Sequence, residues 1–213
     1  MKNISLIKTI YINLKVFPIN IAKRLPIIVG KNTKIYEIHK GNIVLNNYKD
    51  DYRVHIGMGG SAHLHSKYNL IKIGKEGKII FNGDCYIGEG CSIRTDHGKI
   101  TFGRDFSANK NFTINSEKSI SFGDNCLIGT EVNLRDSDGH KLITDKHNNE
   151  ERDINIGNNV WICSYVHILK GTNIPDGCVI GLGSIVNTSI QSKDCLIVGI
   201  PAKVKKKNIR WEK

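Results

Sequence analysis

The sequence predicts an all-β fold, a parallel β-helix in which three short strands form each coil and the coils stack. An Ile or Val occupies the first position of six consecutive hexapeptides that begin at Ile156. Neither the 3.6-residue period of an α-helix nor the two-residue alternation of a simple strand fits a spacing of six, whereas a hexapeptide β-helix does. Glycine often follows the aliphatic position, which suits a corner where a side chain would be costly.

Hexapeptides account for most of the chain from Phe81 onward. Three earlier groups begin at Phe81 ("FNGDCY"), Phe102 ("FGRDFS") and Phe122 ("FGDNCL"), and additional residues between the groups space the coils 20 or 21 residues apart. The cleanest tract reads "IGNNVW", "ICSYVH", "ILKGTN", "IPDGCV", "IGLGSI", "VNTSIQ". Its aliphatic positions are Ile156, Ile162, Ile168, Ile174, Ile180 and Val186.

Most of the six cysteines fit the same repeat. Cys85, Cys91, Cys126 and Cys178 each precede an aliphatic position by two, where a small apolar side chain must fit inside a narrow prism. We therefore interpret them as buried structural residues, not as catalytic or metal-binding groups. The cysteines lack CxxC spacing and the N-terminus lacks a signal-peptide pattern, so a reduced, cytoplasmic protein is expected.

The two ends of the chain differ from the repeat. Residues 1–42 are apolar with interspersed lysines and are broken by Pro18 and Pro26; we expect them to cap the stack, since a solenoid end must be covered. The other reading is contact with the inner face of a membrane. No apolar run is long enough for a spanning helix. The predicted β-helix domain is 43–200, followed by a basic tail or short helix at 201–213.

The net charge of the chain excludes few classes of binding partner. The chain of 213 residues has a formal net charge of +11, which suits an acidic glycan, a phosphorylated cofactor, an anionic membrane or a nucleic acid. Its lysines are dispersed and no aromatic-basic recognition motif appears, so nucleic-acid binding is not expected.

One polar stretch interrupts the repeat. The hexapeptides stop after Leu134 and resume at Ile156, so residues 135–155 ("RDSDGHKLITDKHNNEERDIN") must leave the coil as a loop. A long loop that protrudes from a compact solenoid is more often functional than idle.

The hexapeptides resemble those of the left-handed β-helix acyltransferases. In particular, "IGNNVWICSYVHILKGTNIPDGCVIGLGSIV…VGIPAKVKKK" is similar to the C-terminal half of maltose, galactoside and capsular-polysaccharide O-acetyltransferases. The resemblance covers about residues 43–206. It implies the left hand of the helix, which general crossover rules would not predict, and it implies a homotrimer with an active groove between neighbouring prisms.

The resemblance assigns the catalytic base to His140, which lies in the loop before "IGNNVW" as the family's catalytic histidine does. Acetyl transfer to a hydroxyl needs a base near neutral pKa, and histidine meets that need. Asp138 is a candidate to orient the imidazole. Asp136 and Asp138 fit equally an Asp-rich turn formed for backbone reasons. His147 has no matched role.

Two further positions match the family's site. Trp161 precedes the inward Ile162, so its side chain is expected to point outward, and it matches the tryptophan that lines the acetyl-CoA site; packing under a loop or a neighbouring subunit is the alternative. Asn109 matches an asparagine at the acceptor and thioester site, although a corner hydrogen bond would also explain it. The family's acidic residue seven positions later is Ser116 here, so the acceptor specificity is not carried over.

The resemblance also implies a groove for coenzyme A. Three basic side chains of "PAKVKKK" would meet its phosphates as point charges, and Leu182 stands where the family often has alanine. The predicted cofactor contacts are Trp161, Ser164, Gly181, Leu182, Asn187, Thr188, Lys203, Lys205 and Lys206.

The sequence therefore predicts an acetyl-CoA-dependent O-acetyltransferase acting on a sugar or surface polysaccharide, without a metal. Three alternatives remain. N-acetylation of a nucleotide-linked amino sugar needs much the same base and donor. A γ-type carbonic anhydrase needs three histidines on zinc, and His63 and His65 could share a strand face, but no matching trio is evident near His140. A non-enzymatic glycan-binding solenoid has no need of His140, Trp161 and the lysines together.

Overall fold

The computed structural model describes residues 3–48, 52–61, 68–140 and 150–212. Over these ranges, three sheets of mostly parallel strands form the sides of a prism, and the chain passes from one side to the next in a fixed order. This is the predicted parallel β-helix with three strands in each coil. The structure therefore confirms the fold class that the hexapeptide spacing predicts.

Each sheet takes every third strand of the stack. The first sheet contains β1 (Ile27–Val29), β4 (Val54–Ile56), β7 (Cys85–Ile87), β10 (Phe106–Ala108), β13 (Leu127–Ile128), β16 (Trp161–Ile162), β19 (Val179–Ile180), β21 (Cys195–Gly199) and β22 (Ala202–Lys207). The second contains β2 (Thr33–Glu37), β5 (Asn69–Ile73), β8 (Ser92–Thr95), β11 (Thr113–Ser116), β14 (Asn133–Arg135), β17 (His167–Leu169) and β20 (Ile185–Val186). The third contains β3 (Ile43–Leu45), β6 (Lys78–Phe81), β9 (Lys99–Phe102), β12 (Ser119–Phe122), β15 (Ile154–Ile156) and β18 (Asn173–Ile174).

The aliphatic positions of the hexapeptides point into the prism. All six positions of the tract from 156 to 186 are buried, and parallel pairing aligns them between coils, as in the column Ile128, Ile162 and Ile180. Full burial of one such side chain contributes about 2 kcal/mol relative to leaving it exposed. The period of six therefore reflects one large inward side chain on each face of each coil.

Phenylalanines fill the middle of the prism. Phe102 stacks on Phe81 and on Phe122, with ring centroids 5.2 and 5.7 Å apart. Phe106 packs obliquely beside them, 4.7 Å from Phe102. Phe81, Phe102 and Phe122 are the first residues of the three earlier hexapeptide groups, so aromatic side chains take the aliphatic position there and fill this part of the core.

Glycines follow the aliphatic position because the coils stack closely. A Cβ on Gly103 would lie 2.2 Å from the carbonyl oxygen of Gly123, and a Cβ on Gly129 would lie 2.6 Å from the backbone nitrogen of Ser164. Neither glycine has a positive φ; left-handed corner positions are occupied by residues such as Asn125. Asparagine tolerates that conformation through local hydrogen bonds. Glycine is therefore required at these corners because neighbouring coils lie too close together to admit a Cβ.

Two short helices, α1 (Leu6–Val16) and α2 (Ile19–Ala22), cover the N-terminal end of the stack. The buried Asn13 side chain donates to the carbonyl oxygen of Ile27 (2.7 Å) and accepts from its backbone nitrogen (3.1 Å). The backbone nitrogen of Val29 donates to the Thr9 hydroxyl oxygen at 3.1 Å. Helix side chains thus satisfy the edge of β1, which would otherwise present unpaired backbone groups.

The stack begins earlier than the sequence indicated. Strands β1 and β2 lie within residues 1–42, which were expected only to cap the prism, yet they pair in parallel with β4 and β5. The predicted boundary at 43 is therefore too late. The hexapeptide pattern does not identify this coil, because longer stretches of sequence separate its strands from those of the next coil and the spacing of six is lost.

The C-terminal segment is also more ordered than a basic tail or helix. Residues 202–207 form β22, which pairs antiparallel with β21 at the edge of the first sheet. Ala202 is buried, while Lys203, Lys205 and Lys206 are exposed. The pairing with β21 supplies backbone hydrogen bonds that a free tail lacks, and it turns the lysines toward solvent.

The cysteines behave as the repeat predicts. Cys85, Cys91, Cys126 and Cys178 are buried, and none of the six cysteines forms a disulfide. Burial raises the pKa of the Cys85 thiol well above its usual range, and it raises the pKa of Cys91 and of Cys178 to about 12. The thiolate form is thus disfavoured at these three positions. None of the helices formed by the described residues is long and apolar enough to cross a membrane.

Candidate active site

The loop that carries His140 leaves the prism at a corner between the second and third sheets. It follows β14, and the chain returns to the prism at β15. Gly139 has φ +78°, a left-handed conformation that favours glycine, and the exposed His140 follows it directly. Residues 141–149, including His147, lie outside the described residues.

A buried carboxylate anchors the start of this loop. Asp136 is fully buried, and its oxygens accept hydrogen bonds from the Ser116 hydroxyl (2.7 Å) and from the backbone nitrogens of Glu117 (2.8 Å) and Lys118 (3.0 Å). Its carbonyl oxygen accepts from the backbone nitrogen of Arg152 at 3.1 Å, which joins the two ends of the loop. Sequence reasoning left the role of Asp136 open; the structure makes it an anchor for the backbone, with Ser116 as its partner.

Asp138 is held against the next coil. Its Oδ2 lies 2.7 Å from the Nζ of Lys170, whose side chain is mostly buried. Lys170 directly follows β17, the strand that pairs with β14. The ion pair therefore fixes the loop two residues before His140. Sequence analysis did not identify Lys170, because only the stacking of coils brings residues 32 positions apart into contact.

An acidic group and a histidine lie beside the loop anchor. Glu117 Oε2 is 3.5 Å from His97 Nδ1. Burial raises the pKa of the Glu117 carboxyl. The nearby His97 lowers this pKa, whereas the negative charges of Asp96 and Asp136 raise it further. Glu117 directly follows Ser116 in the sequence. The structure shows that it belongs to the same corner as the base of the His140 loop.

Trp161 lies on the outer surface of the first sheet, as its position before Ile162 predicts. It is 36% exposed, and its ring packs against that of Trp211, with centroids 5.9 Å apart. Trp211 Nε1 donates to the carbonyl oxygen of Asn159 at 2.7 Å. The C-terminal segment thus folds back onto the coil that contains Trp161. Sequence analysis missed Trp211; a lone tryptophan in a basic tail was the only available signal.

A groove of about 670 Å³ lies between this C-terminal segment and a prism corner. Its walls combine carboxylates from successive corners with the indole of Trp211. Its lining residues include Asn125, Asn159, Asp176, Asp194, Trp211 and Glu212.

Asn109 lies at the corner between the first and second sheets. Its Oδ1 accepts from the backbone nitrogens of Ser61 and Lys110, both at 2.8 Å. Asn109 is half-buried and adjoins the described end of the segment that leads toward His63 and His65, which lie outside the described residues. The corner hydrogen bond raised as an alternative is thus present.

The predicted pantetheine contacts share that corner with Asn109. Ser164 follows β16, and its hydroxyl oxygen accepts from the backbone nitrogen of Thr130 at 3.1 Å. Gly181 follows β19, and a Cβ there would lie 2.4 Å from Val198 Cγ1. Leu182 is 72% exposed. The glycine is therefore explained by the close approach of β21, whereas Leu182 presents a large apolar side chain to a ligand or neighbour.

The remaining predicted cofactor residues are exposed. Asn187 and Thr188 follow β20, at the corner between the second and third sheets. Lys203, Lys205 and Lys206 lie on β22, outside β21. Within one chain, the lysine strand lies on the first sheet, as Trp161 does, and Asn187 and Thr188 share an edge with the His140 loop.

The candidate residues consequently occupy two edges of the prism. His140, Asp138, Asn187 and Thr188 belong to the edge between the second and third sheets. Asn109, Ser164, Gly181 and Leu182 belong to the edge between the first and second sheets. A single chain does not gather them around one point.

The described residues offer no site for a metal ion. Over the ranges 3–48, 52–61, 68–140 and 150–212, no group of three His, Cys, Asp or Glu side chains is arranged to hold one.

Several bacterial proteins are similar to this chain in sequence. A galactoside O-acetyltransferase of Escherichia coli K12 is 42% identical over 108 residues, which make up 49% of this chain and 52% of that enzyme. A putative lipopolysaccharide biosynthesis O-acetyl transferase of the same strain is 31% identical over 162 residues, 66% of this chain and 80% of the relative. No protein-family model matches. The chain spans about half the length of several curated relatives that it matches.

Solved structures resemble it as well. The crystal structure of the polysialic acid-specific acetyltransferase NeuO superimposes with a TM-score of 0.55 and 27% sequence identity, covering 85% of this chain and 89% of that one.

Proposed function

Because this chain belongs to the hexapeptide-repeat O-acetyltransferase family, whose fold is the left-handed parallel β-helix, we propose that it transfers an acetyl group from acetyl-CoA to a hydroxyl of a sugar or surface polysaccharide. The observation that carries the proposal is the position of His140. This exposed imidazole follows a left-handed glycine on a loop that Asp136 and Lys170 fix at its base. A histidine presented in this way is suited to general-base catalysis.

In the proposed reaction, His140 accepts the proton of the acceptor hydroxyl while the hydroxyl oxygen bonds to the acetyl carbon. His140 then returns that proton to the departing sulfur, so the C–O bond forms, the C–S bond breaks and the imidazole is regenerated. When bound, acetyl-CoA supplies an activated thioester carbonyl. Asp138 would hold the imidazole in one orientation, and its carboxylate is itself fixed by Lys170 at 2.7 Å.

The residues on the first sheet, and on its edge with the second sheet, fit the donor. Trp161 offers an exposed aromatic face beside the acyl group. Gly181, Leu182 and Ser164 border a corner where an extended pantetheine arm can run along the stack. Lys203, Lys205 and Lys206 project from an exposed strand, and their charges suit the phosphates of coenzyme A.

We propose that two neighbouring chains form each site, within a homotrimer. The edge that bears His140 and the edge that bears Ser164 and Leu182 are different edges of one prism. Packing the first edge of one copy against the second edge of the next would bring base and donor together. Three such heterologous contacts close a ring. Asn109 would then approach the acceptor from the donor side.

The state of the thiols supports a proposal for the compartment. None of the six cysteines forms a disulfide, and a reducing cytoplasm maintains thiols in that state. We therefore propose that the transfer occurs in the cytoplasm, before the modified sugar or polymer leaves the cell.

The direct test follows thiol release from acetyl-CoA with a panel of acceptors: a galactoside, polysialic acid and an amino sugar. His140→Ala is expected to lower turnover about a hundredfold or more while donor binding persists. His39→Ala removes another partly exposed histidine, far from the loop, and should retain full activity. Equal turnover in the His140→Ala variant and wild type would refute the assignment of His140 as the base. An alkali-stable amide product would show that the acetyl group is transferred to an amine and not to a hydroxyl.

Subunit mixing tests the shared site. His140→Ala and Leu182→Arg are each expected to be inactive, the second because it blocks the donor corner. Co-assembled in equal amounts, they should regain about one quarter of wild-type turnover, since one site in four pairs an intact loop with an intact corner. No recovery in mixed trimers, or a monomeric active protein, would contradict the assembly.

A further inference from the structure

The N-terminal helices present a large apolar surface to solvent. On α1, Ile7 is 83% exposed and Leu6 63%, and Ile19 at the start of α2 is 68% exposed. Ile10, Tyr11 and Leu14 extend the same surface. Contiguous exposure of large aliphatic side chains is unusual on a free protein surface and marks a contact site.

Capping of the prism does not account for this surface. The capping contacts come from the opposite side of α1, where Thr9, Ile12, Asn13 and Val16 are buried. Asn13 and Thr9 already satisfy the backbone of β1. The outward residues could therefore be polar without loss to the fold, and their apolar character needs another reason.

The charge of the segment indicates the partner. Residues 3–36 contain six basic residues and no Asp or Glu. Three of the basic residues, Lys15, Lys23 and Arg24, are exposed beside the apolar surface. Lys23 and Arg24 also line a cleft of about 370 Å³ with Asn20, Ile21 and Tyr48.

We propose that α1 and α2 bind the prism to an anionic lipid surface. The helix α1 has 11 residues and is about 16 Å long at the usual rise, so it would lie in the plane of the interface. Its apolar residues would enter the boundary of the acyl chains, while Lys15, Lys23 and Arg24 meet lipid phosphates. An apolar face with a basic rim is the usual composition of an interfacial helix.

A second copy of the chain fits this surface less well. Self-association through α1 would bring Lys15, Lys23 and Arg24 of one chain near those of the other, with no acidic residue in the segment to compensate. Like charges at an interface oppose binding. The lipid proposal does not depend on the proposed acetyl transfer, and the two can fail separately.

The test is co-sedimentation of the full chain with vesicles of equal parts phosphatidylcholine and phosphatidylglycerol, against vesicles of phosphatidylcholine alone. Wild type is expected to bind the anionic vesicles at least about tenfold more strongly, with binding lost as salt is raised. Two variants should each lose binding about tenfold or more: the double variant Ile7→Ser with Leu14→Ser, and the triple variant Lys15→Glu with Lys23→Glu and Arg24→Glu.

A matched control separates a specific surface from overall charge. Lys75→Glu with Lys78→Glu and Lys99→Glu makes the same change in net charge at exposed positions away from α1 and should keep most of the binding. Equal loss in this control would overturn the proposal, as would equal binding of wild type to both vesicles. Loss of oligomers in the Ile7→Ser, Leu14→Ser variant without any vesicle binding would assign the surface to a second copy. Acetyl transfer to a free sugar should be unchanged in that double variant.

Discussion

The indole of Trp211 lies against that of Trp161, with ring centroids 5.9 Å apart, and its Nε1 donates to the carbonyl oxygen of Asn159 at 2.7 Å. These contacts bring the C-terminal segment to the coil that follows the His140 loop. One tryptophan was predicted at the donor site from sequence, and the structure supplies a second beside it.

Trp211→Phe should weaken donor binding, because it removes the hydrogen bond to Asn159 and reduces the aromatic contact with Trp161. We expect the KM for acetyl-CoA to rise about threefold to tenfold with little change in kcat. The chain has two tryptophans, so Trp161 alone reports in this variant, and its fluorescence should shift to longer wavelength. Arg210→Ala, at a highly exposed neighbour, should change neither. An unchanged KM together with an unchanged emission maximum would contradict the contact's role.

Asp136→Asn should destabilise the base of the loop. The carboxylate accepts from two backbone nitrogens and one hydroxyl, and an amide must direct its NH2 group at one of these donors. The expected loss is about 2–3 kcal/mol in the free energy of unfolding, measured by urea denaturation. Asp138→Asn should cost less, about 1 kcal/mol, because the Asp138 carboxylate in its ion pair with Lys170 is half-exposed. Similar losses in the two variants would argue against Asp136 as the anchor.

Gly103→Ala should be far more damaging than Gly41→Ala. A Cβ at Gly103 would overlap the carbonyl oxygen of Gly123, whereas a Cβ at Gly41 meets nothing within 4 Å. Gly41→Ala should lower the free energy of unfolding by only about 1–2 kcal/mol, because alanine is strained in the left-handed conformation at φ +80°. The loss for Gly103→Ala should exceed about 3 kcal/mol or prevent folding. Thermal unfolding of the two variants tests this difference. Equal stabilities would show that the coils can separate to admit a methyl group.

Asp124 should contribute to stability in a pH-dependent way. Hydrogen bonds from the Arg104 guanidinium lower the pKa of the Asp124 carboxyl. A lowered folded-state pKa gives stability that is present above the unfolded value of about 3.9 and is lost as pH falls through the folded value. The difference in unfolding free energy between wild type and Asp124→Asn should therefore be constant near neutral pH and shrink below about pH 4. Urea titrations across this range test it, with Glu76→Gln as an exposed control; a difference independent of pH would refute the linkage.

The hexapeptide register was predictable because it is a local pattern repeated many times. Ile162, Ile168 and Ile180 each occupy the same place in a hexapeptide, and each is buried. The outward position of Trp161 followed from the same register. The first coil was not predictable, since the stretches of sequence before β4 and β5 are too long to keep the spacing that identifies the repeat.

Contacts between coils were beyond sequence reasoning. Asp136 meets Ser116 and Asp138 meets Lys170 only because strands far apart in sequence become neighbours in one sheet. The C-terminal lysines were expected on a tail or helix, yet pairing with β21 holds them on a strand. His140 was selected by resemblance and by its place in the loop, and its catalytic role stays a prediction.

The sequence by itself determined that three short strands form each coil, because aliphatic side chains at every sixth position are all buried in a stack of such coils. Tertiary structure alone decided how the loop is anchored, where the two tryptophans meet and which helix surface faces solvent. Those features depend on pairs of residues separated by one coil or by the whole chain. Their energies arise from contact in space, for which the linear order of residues carries no repeating signal.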